Sequence, residues 1–102
     1  MNVMITEKAV DFYKKEMMLK ENEEVTLYVR VGGIGSGGFS VGIRKGTPDL
    51  DFIKITQSNI PFCIAKEEKW YFDGMKIDYN RDMGEMVFLN DRIDDLANPD
   101  PN

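Results

Sequence analysis

Val25-Thr-Leu-Tyr-Val-Arg-Val31, then Gly32-Gly-Ile-Gly-Ser-Gly-Gly38, then Phe39-Ser-Val-Gly-Ile43 is the stretch that decides the fold. In its first part Val25, Leu27, Val29 and Val31 alternate with Thr26, Tyr28 and Arg30. Side chains on a strand point to opposite faces in turn, so this period predicts a strand with one apolar face. Phe39 to Ile43 alternates again, which predicts that the two segments pair around the glycine-rich stretch.

The same alternation recurs downstream. Phe52 to Thr56 and Ile60 to Ala65 are strand candidates, and Gln57-Ser-Asn59 between them suits a hairpin. Met75, Ile77 and Tyr79 alternate with Lys76 and Asp78 after the turn signal Asp73-Gly74. Asn80 to Gly84 turns the chain, and Glu85 to Leu89 reads as a last strand. Lys66 to Phe72 is expected to hold a helical turn, with Trp70, Tyr71 and Phe72 as an aromatic anchor in the core or at a dimer contact.

Upstream the period changes. After a short strand entry, Ala9, Val10, Tyr13 and Met17 fall at helical spacing, and Phe12 widens the stripe. Thr6 is the expected N-cap, and Glu7 sits in the first turn, where the helix dipole favours an anion. Lys8, Lys14, Lys15 and Glu16 are expected to stay in water. The fold class is therefore mainly β (α+β): two small sheets face to face, or a partly open barrel, with the N-terminal helix packed alongside.

Composition bounds the function. The chain has 102 residues, with 13 basic and 18 acidic side chains, a net charge of −5, no histidine and one cysteine. That length fits one domain, read here as residues 1–90, followed by an acidic tail over 91–102 that is expected to be disordered. The negative balance argues against nucleic acid as a partner. One cysteine excludes a disulfide framework within the chain, and the lack of histidine excludes an ordinary zinc site and Ser–His or Cys–His catalysis. No run approaches the roughly 18 to 20 apolar residues of a membrane span. A cytoplasmic location and no membrane partner are the expectations.

Candidate chemistry is sparse. Gly33-Ile-Gly-Ser-Gly-Gly38 satisfies the letters GxGxxG, but a strand follows where a dinucleotide site needs a helix. Asp49 and Asp51 flank Leu50, and Asp91, Asp94 and Asp95 cluster near the tail. Their spacing matches no EF-hand, and solvated charge is the ordinary explanation. Cys63 alternates with Phe62 and Ile64, so it is expected on the opposite sheet face. It is either a small packing residue or a redox or metal group.

Four segments, in order, resemble the HesB-like family, the A-type iron–sulfur cluster carriers. Ile5-Thr-Glu-Lys-Ala9 is similar to that family's I-T-x-x-A opening. Ser36-Gly-Gly-Phe-Ser40 is similar to its G-C-S-G loop, which continues with Phe, Met or Tyr and then Ser or Ala. Phe72-Asp-Gly-Met-Lys-Ile-Asp-Tyr79 resembles L-x-G-x-x-I-D-Y, and Val87-Phe-Leu-Asn90 resembles the closing strand. The match covers residues 3–90.

The resemblance implies a pseudo-barrel or two-sheet fold and a role in iron–sulfur biogenesis. It implies iron–sulfur assembly proteins as partners, and a homodimer is an option. It also places the family's first cluster ligand in the glycine-rich loop. Anchored on Gly-Phe-Ser that ligand falls near Ser36, among Gly32, Gly33, Gly35, Gly37 and Gly38; counted from Arg30 it falls nearer Ile34. The family's Cys-Gly-Cys pair would follow Asn90, where this chain reads Asp91-Arg-Ile-Asp-Asp. All three ligand positions lack a thiol. Clusters are held by thiolates, commonly four, and serine is a harder donor with a far higher pKa. Cys63 is the sole thiol left.

The expectation is thus a HesB-like protein unable to ligate a cluster through the usual three cysteines. It is not an enzyme and has no assigned cofactor beyond weakly bound iron. The alternative is a non-metal interaction module that keeps only the scaffold.

Overall fold

The computed structural model describes residues 1–31 and 39–90. Among these described residues seven strands form two sheets. The smaller has the order β1-β6-β7, with β1 at Met4–Ile5, β6 at Lys76–Asn80 and β7 at Glu85–Leu89. The larger has the order β3-β2-β5-β4, with β2 at Val25–Val31, β3 at Phe39–Lys45, β4 at Phe52–Gln57 and β5 at Ile60–Ala65. Helix α1 spans Glu7–Met17; a 3-10 turn at Lys66–Glu68 leads into the short α2, Lys69–Phe72. The strands lie in two sheets with α1 alongside and no closed barrel among the described residues, in keeping with the mainly β expectation.

Helix α1 starts where the cap chemistry places it. The Ala9 N–H donates to Thr6 Oγ1 at 3.2 Å, and the Thr6 hydroxyl donates to Asp78 Oδ1 at 2.6 Å. The cap residue therefore also ties the helix to β6. The helix ends at Met18, which takes a left-handed conformation (φ 53) and whose N–H donates to the Lys14 carbonyl. Glycine is the usual occupant of that position, because a side chain there crowds the following carbonyl.

The apolar stripe falls inside as its period demands. Ala9, Val10 and Tyr13 are buried. Tyr13 meets Phe62 of β5 at 6.2 Å between ring centroids, while Phe12 stacks on Tyr79 of β6 at 4.4 Å. One helix thus touches both sheets. Burial pushes the Tyr13 phenol up to about 12.

The β4–β5 hairpin is tighter than the sequence suggests. Gln57 pairs with Ile60, leaving Ser58 and Asn59 as a two-residue loop, both at positive φ (50 and 66). That is the backbone sense that matches the twist of paired strands.

The β2–β3 hairpin differs from its expectation at its far end. Val25 and Leu27 are fully buried, but Val31 is 82% exposed. β2 pairs with β5 only at Val25 and Thr26. Beyond that point the two strands part, and the Val29 N–H donates to Glu68 Oε1 at 2.9 Å instead. The hairpin extends past its pairing with β5, and Val31 at its end stays exposed.

Thr26 departs in the other direction. It lies on the polar face of β2, yet it is buried, and its hydroxyl donates to the Gly46 carbonyl at 2.7 Å. The chain leaving β3 must cross β2 and β5 to reach β4 at the opposite edge, and this crossing covers that face.

Candidate functional site

Two regions hold the residues on which chemistry was expected. The first is where the family's ligands would gather. Residues 32–38, with Ser36, Ile34 and the five glycines, lie outside the described residues, as do 91–102 with the Asp91, Asp94 and Asp95 cluster and the expected disordered tail. Their described flanks converge on α2. Phe39, the first residue after the loop, packs its ring 6.0 Å from Tyr71 and 5.6 Å from Trp70. Asn90, the last residue before the tail, is buried, and its Nδ2 donates to the carbonyls of Asp73 at 2.9 Å and Tyr71 at 3.3 Å.

The aromatic anchor expected at residues 70–72 is therefore where Phe39 and Asn90, the described flanks of those two segments, come together. Tyr71 and Phe72 are core, but Trp70 is half-exposed and is not a full core residue. The sharp turn after α2 uses Gly74 at φ 89, where a Cβ would approach Asn90 Oδ1 to 3.4 Å.

The second region surrounds Cys63. Phe62 faces the shared core, and the register puts Cys63 on the other face beside Thr26 and Lys54, as the alternation predicts. That face is closed nonetheless: Cys63 is 0% exposed. Lys54 Nζ lies 2.8 Å from Glu24 Oε2 nearby. Burial, together with the Glu24 charge, raises the Cys63 thiol above its ordinary pKa, and Lys54 opposes this. A thiol held protonated and enclosed is a poor nucleophile and a poor metal ligand, because both roles need the thiolate.

Asp49 and Leu50 line an open groove of about 410 Å³ over the outer face of β2, with Glu67 and Glu68 opposite. Among the described residues, no group of three or more Cys, Asp or Glu is placed to hold a metal ion. No described helix is long and apolar enough to cross a membrane.

A third region was missed by the sequence reading. Lys8, Lys14 and Lys15 of α1 meet Arg81 across the Phe12–Tyr79 stack, lining a groove of about 370 Å³. The lysines were read as solvated and Arg81 as a turn residue. No local signal joins them, because the juxtaposition depends on α1 packing against β6.

This arrangement defines a class: a two-sheet scaffold with one apical hairpin and a C-terminal exit meeting at α2. Solved structures share the fold. IscA with its 2Fe–2S cluster superposes with a TM-score of 0.69 at 16% identity, over 88% of this chain and 86% of that one. Escherichia coli SufA, described as involved in biosynthesis of iron–sulfur clusters, gives 0.60 at 18% identity, over 86% of this chain and 77% of that one.

The sequence comparison is more specific than the fold. The profile for iron–sulphur cluster biosynthesis matches residues 1–94, and the chain belongs to that family. Among its relatives, the pyruvate dehydrogenase inhibitor of Bacillus subtilis is 35% identical over 92 residues, spanning 86% of this chain and 97% of that protein. A Staphylococcus epidermidis protein is 33% identical over 82 residues, 76% of this chain and 84% of its own.

The residues present do not fit the family's cluster. The chain's single thiol is Cys63, on the closed face of the larger sheet and not at the α2 junction.

Proposed function

We propose that this protein is an accessory member of the iron–sulphur cluster biosynthesis family that acts by docking a partner protein. It does so without catalysing a reaction and without ligating a cluster through three cysteines. The observation that carries this reading is the placement of sulfur. One thiol is present, and it is buried on β5 beside Thr26 and Lys54. The two-sheet scaffold is kept, with its core and its α2 junction. A fold maintained without its ligands is suited to binding through its surface.

The Bacillus subtilis relative supplies the class of partner to test. Its name describes inhibition of pyruvate dehydrogenase, and the likeness runs nearly the whole length of both chains. The expected result is that the purified protein binds the pyruvate dehydrogenase complex of its own host in surface plasmon resonance and lowers its turnover. Absence of both binding and inhibition at micromolar protein would remove this reading.

Family membership favours a second reading, in which the accessory role includes weakly held iron supplied to assembly proteins. Anaerobic incubation with ferrous iron and sulfide separates the two. Under the docking reading the protein is colourless after desalting. Visible absorbance that survives desalting and weakens in Cys63→Ser supports the iron reading.

A further inference from the structure

The groove between α1 and β6 is the least explained feature of the surface. Lys8, Lys14, Lys15 and Arg81 line it around the Phe12–Tyr79 stack, with Asp11 the single carboxylate among the lining residues. Four cations to one anion is a local inversion in a chain whose net charge is −5. The ion pairs among the described residues are Lys45 with Glu23 and Lys54 with Glu24, so none of the four groove cations is spent on one. Lys8 has Asp78 near it, whose charge balances part of its own, so the excess of positive charge rests on Lys14, Lys15 and Arg81. Like charges gathered without partners repel, and an anion docked among them relieves that repulsion.

The shape narrows the anion. Lys8 and Lys15 are two helical turns apart, about 10 Å along the axis. A single phosphate group cannot meet both ends. An extended polypeptide rises about 3.3 Å per residue and spans that distance in about three residues. The aromatic stack between the cations offers an apolar seat, which a run of acidic residues alone would not use. A long nucleic acid would meet the negative remainder of the surface.

We propose that this groove docks an extended acidic segment of a partner protein. An apolar side chain of that segment rests on Phe12 and Tyr79, and its carboxylates meet Lys14, Lys15 and Arg81. The inference deepens the docking reading above and rests on it for the biological partner, although the groove can be tested without that partner.

The test titrates isotope-labelled protein with a short synthetic peptide of alternating glutamate and leucine. A lysine–leucine peptide and inorganic phosphate are titrated in parallel. Amide shifts are expected at residues of α1 and β6 with the acidic peptide only. The double change Lys15→Glu with Arg81→Glu, both exposed positions, should weaken that peptide about tenfold or more. Lys69→Glu, exposed but outside the groove, should leave affinity unchanged. Shifts centred elsewhere, equal shifts with phosphate alone, or equal loss in Lys69→Glu overturn the proposal. Should the charge-reversed protein fail to fold by circular dichroism, Lys15→Gln with Arg81→Gln replaces it under the same criteria. Against the pyruvate dehydrogenase complex, inhibition by wild type and equal inhibition by the folded double variant sink the groove and leave the docking reading standing. A wild type that neither binds nor inhibits sinks the docking reading, while the peptide result still judges the groove.

Discussion

The face that carries Cys63 and the groove between α1 and β6 are opposites. The first holds the chain's most reactive side-chain type and closes it off, with Thr26 bonded to the crossing chain and Lys54 paired with Glu24 nearby. The second holds no thiol, but gathers four cations around an aromatic stack in an open groove. Reactivity without access does no chemistry, and access without reactivity suits recognition. The contrast teaches that, among the described residues, the chain's one thiol and its open charged groove lie on different faces.

The largest effect to seek is in the access of the thiol. Alkylation of Cys63 by iodoacetamide at mildly alkaline pH should be slower in the native protein than in urea by about three orders of magnitude or more, because reaction waits for the fold to open. The raised pKa works in the same direction by depleting the thiolate. Native labelling at the unfolded rate would erase the difference between the two regions.

Next comes the residue that underlies both. Phe62 lies beside Cys63 on β5 and meets Tyr13 of α1, and it is fully buried. Phe62→Ala should cost about 3–5 kcal/mol in urea denaturation. A loss under about 1 kcal/mol would mean that the helix and the larger sheet do not share one core.

A smaller change sharpens the α1–β6 side alone. Thr6→Ala removes the helix cap and the donor to Asp78, and should cost about 1 kcal/mol near neutral pH. The cost should vary with pH. The Thr6 hydroxyl, then the Tyr79 N–H, hold the Asp78 carboxyl below its ordinary pKa. A carboxyl lowered on folding contributes stability above its unfolded pKa and loses it as pH falls through the folded value. The gap in melting temperature between wild type and Thr6→Ala should therefore narrow on acidification. A constant gap would leave the cap in place and remove the Asp78 coupling.

The smallest expected change is a gain. Met18 is 81% exposed and adopts φ 53 at the end of α1. Met18→Gly should stabilise the protein by up to about 1 kcal/mol and leave the groove untouched. A loss of stability would show that the Met18 side chain packs in a way its exposure denies.

Several elements were legible from the residues alone. The alternation in Val25 to Val31, Phe39 to Ile43 and Ile60 to Ala65 marked strands that are present, and Thr6 marked the start of α1. The ordered likeness of four segments pointed to the family to which the chain belongs. Other features were not legible. Val31 fits the apolar period of β2 but stands in solvent, because β2 leaves β5 after Thr26. Trp70 sits in an aromatic run but covers only the rim of the α2 junction.

The sequence by itself determined which faces are apolar, where the helix begins, and that a single thiol is present, since these follow from local period, cap chemistry and counting. Tertiary structure decided what is closed and what is open. The crossing from β3 to β4 brings the Gly46 carbonyl onto Thr26, on a face of β2 that local pattern assigns to water, and the packing of α1 on β6 brings Arg81 to three lysines far away in the chain. Strand order and helix docking are contacts between distant segments, and a period read over a few residues carries no record of which distant segment will arrive.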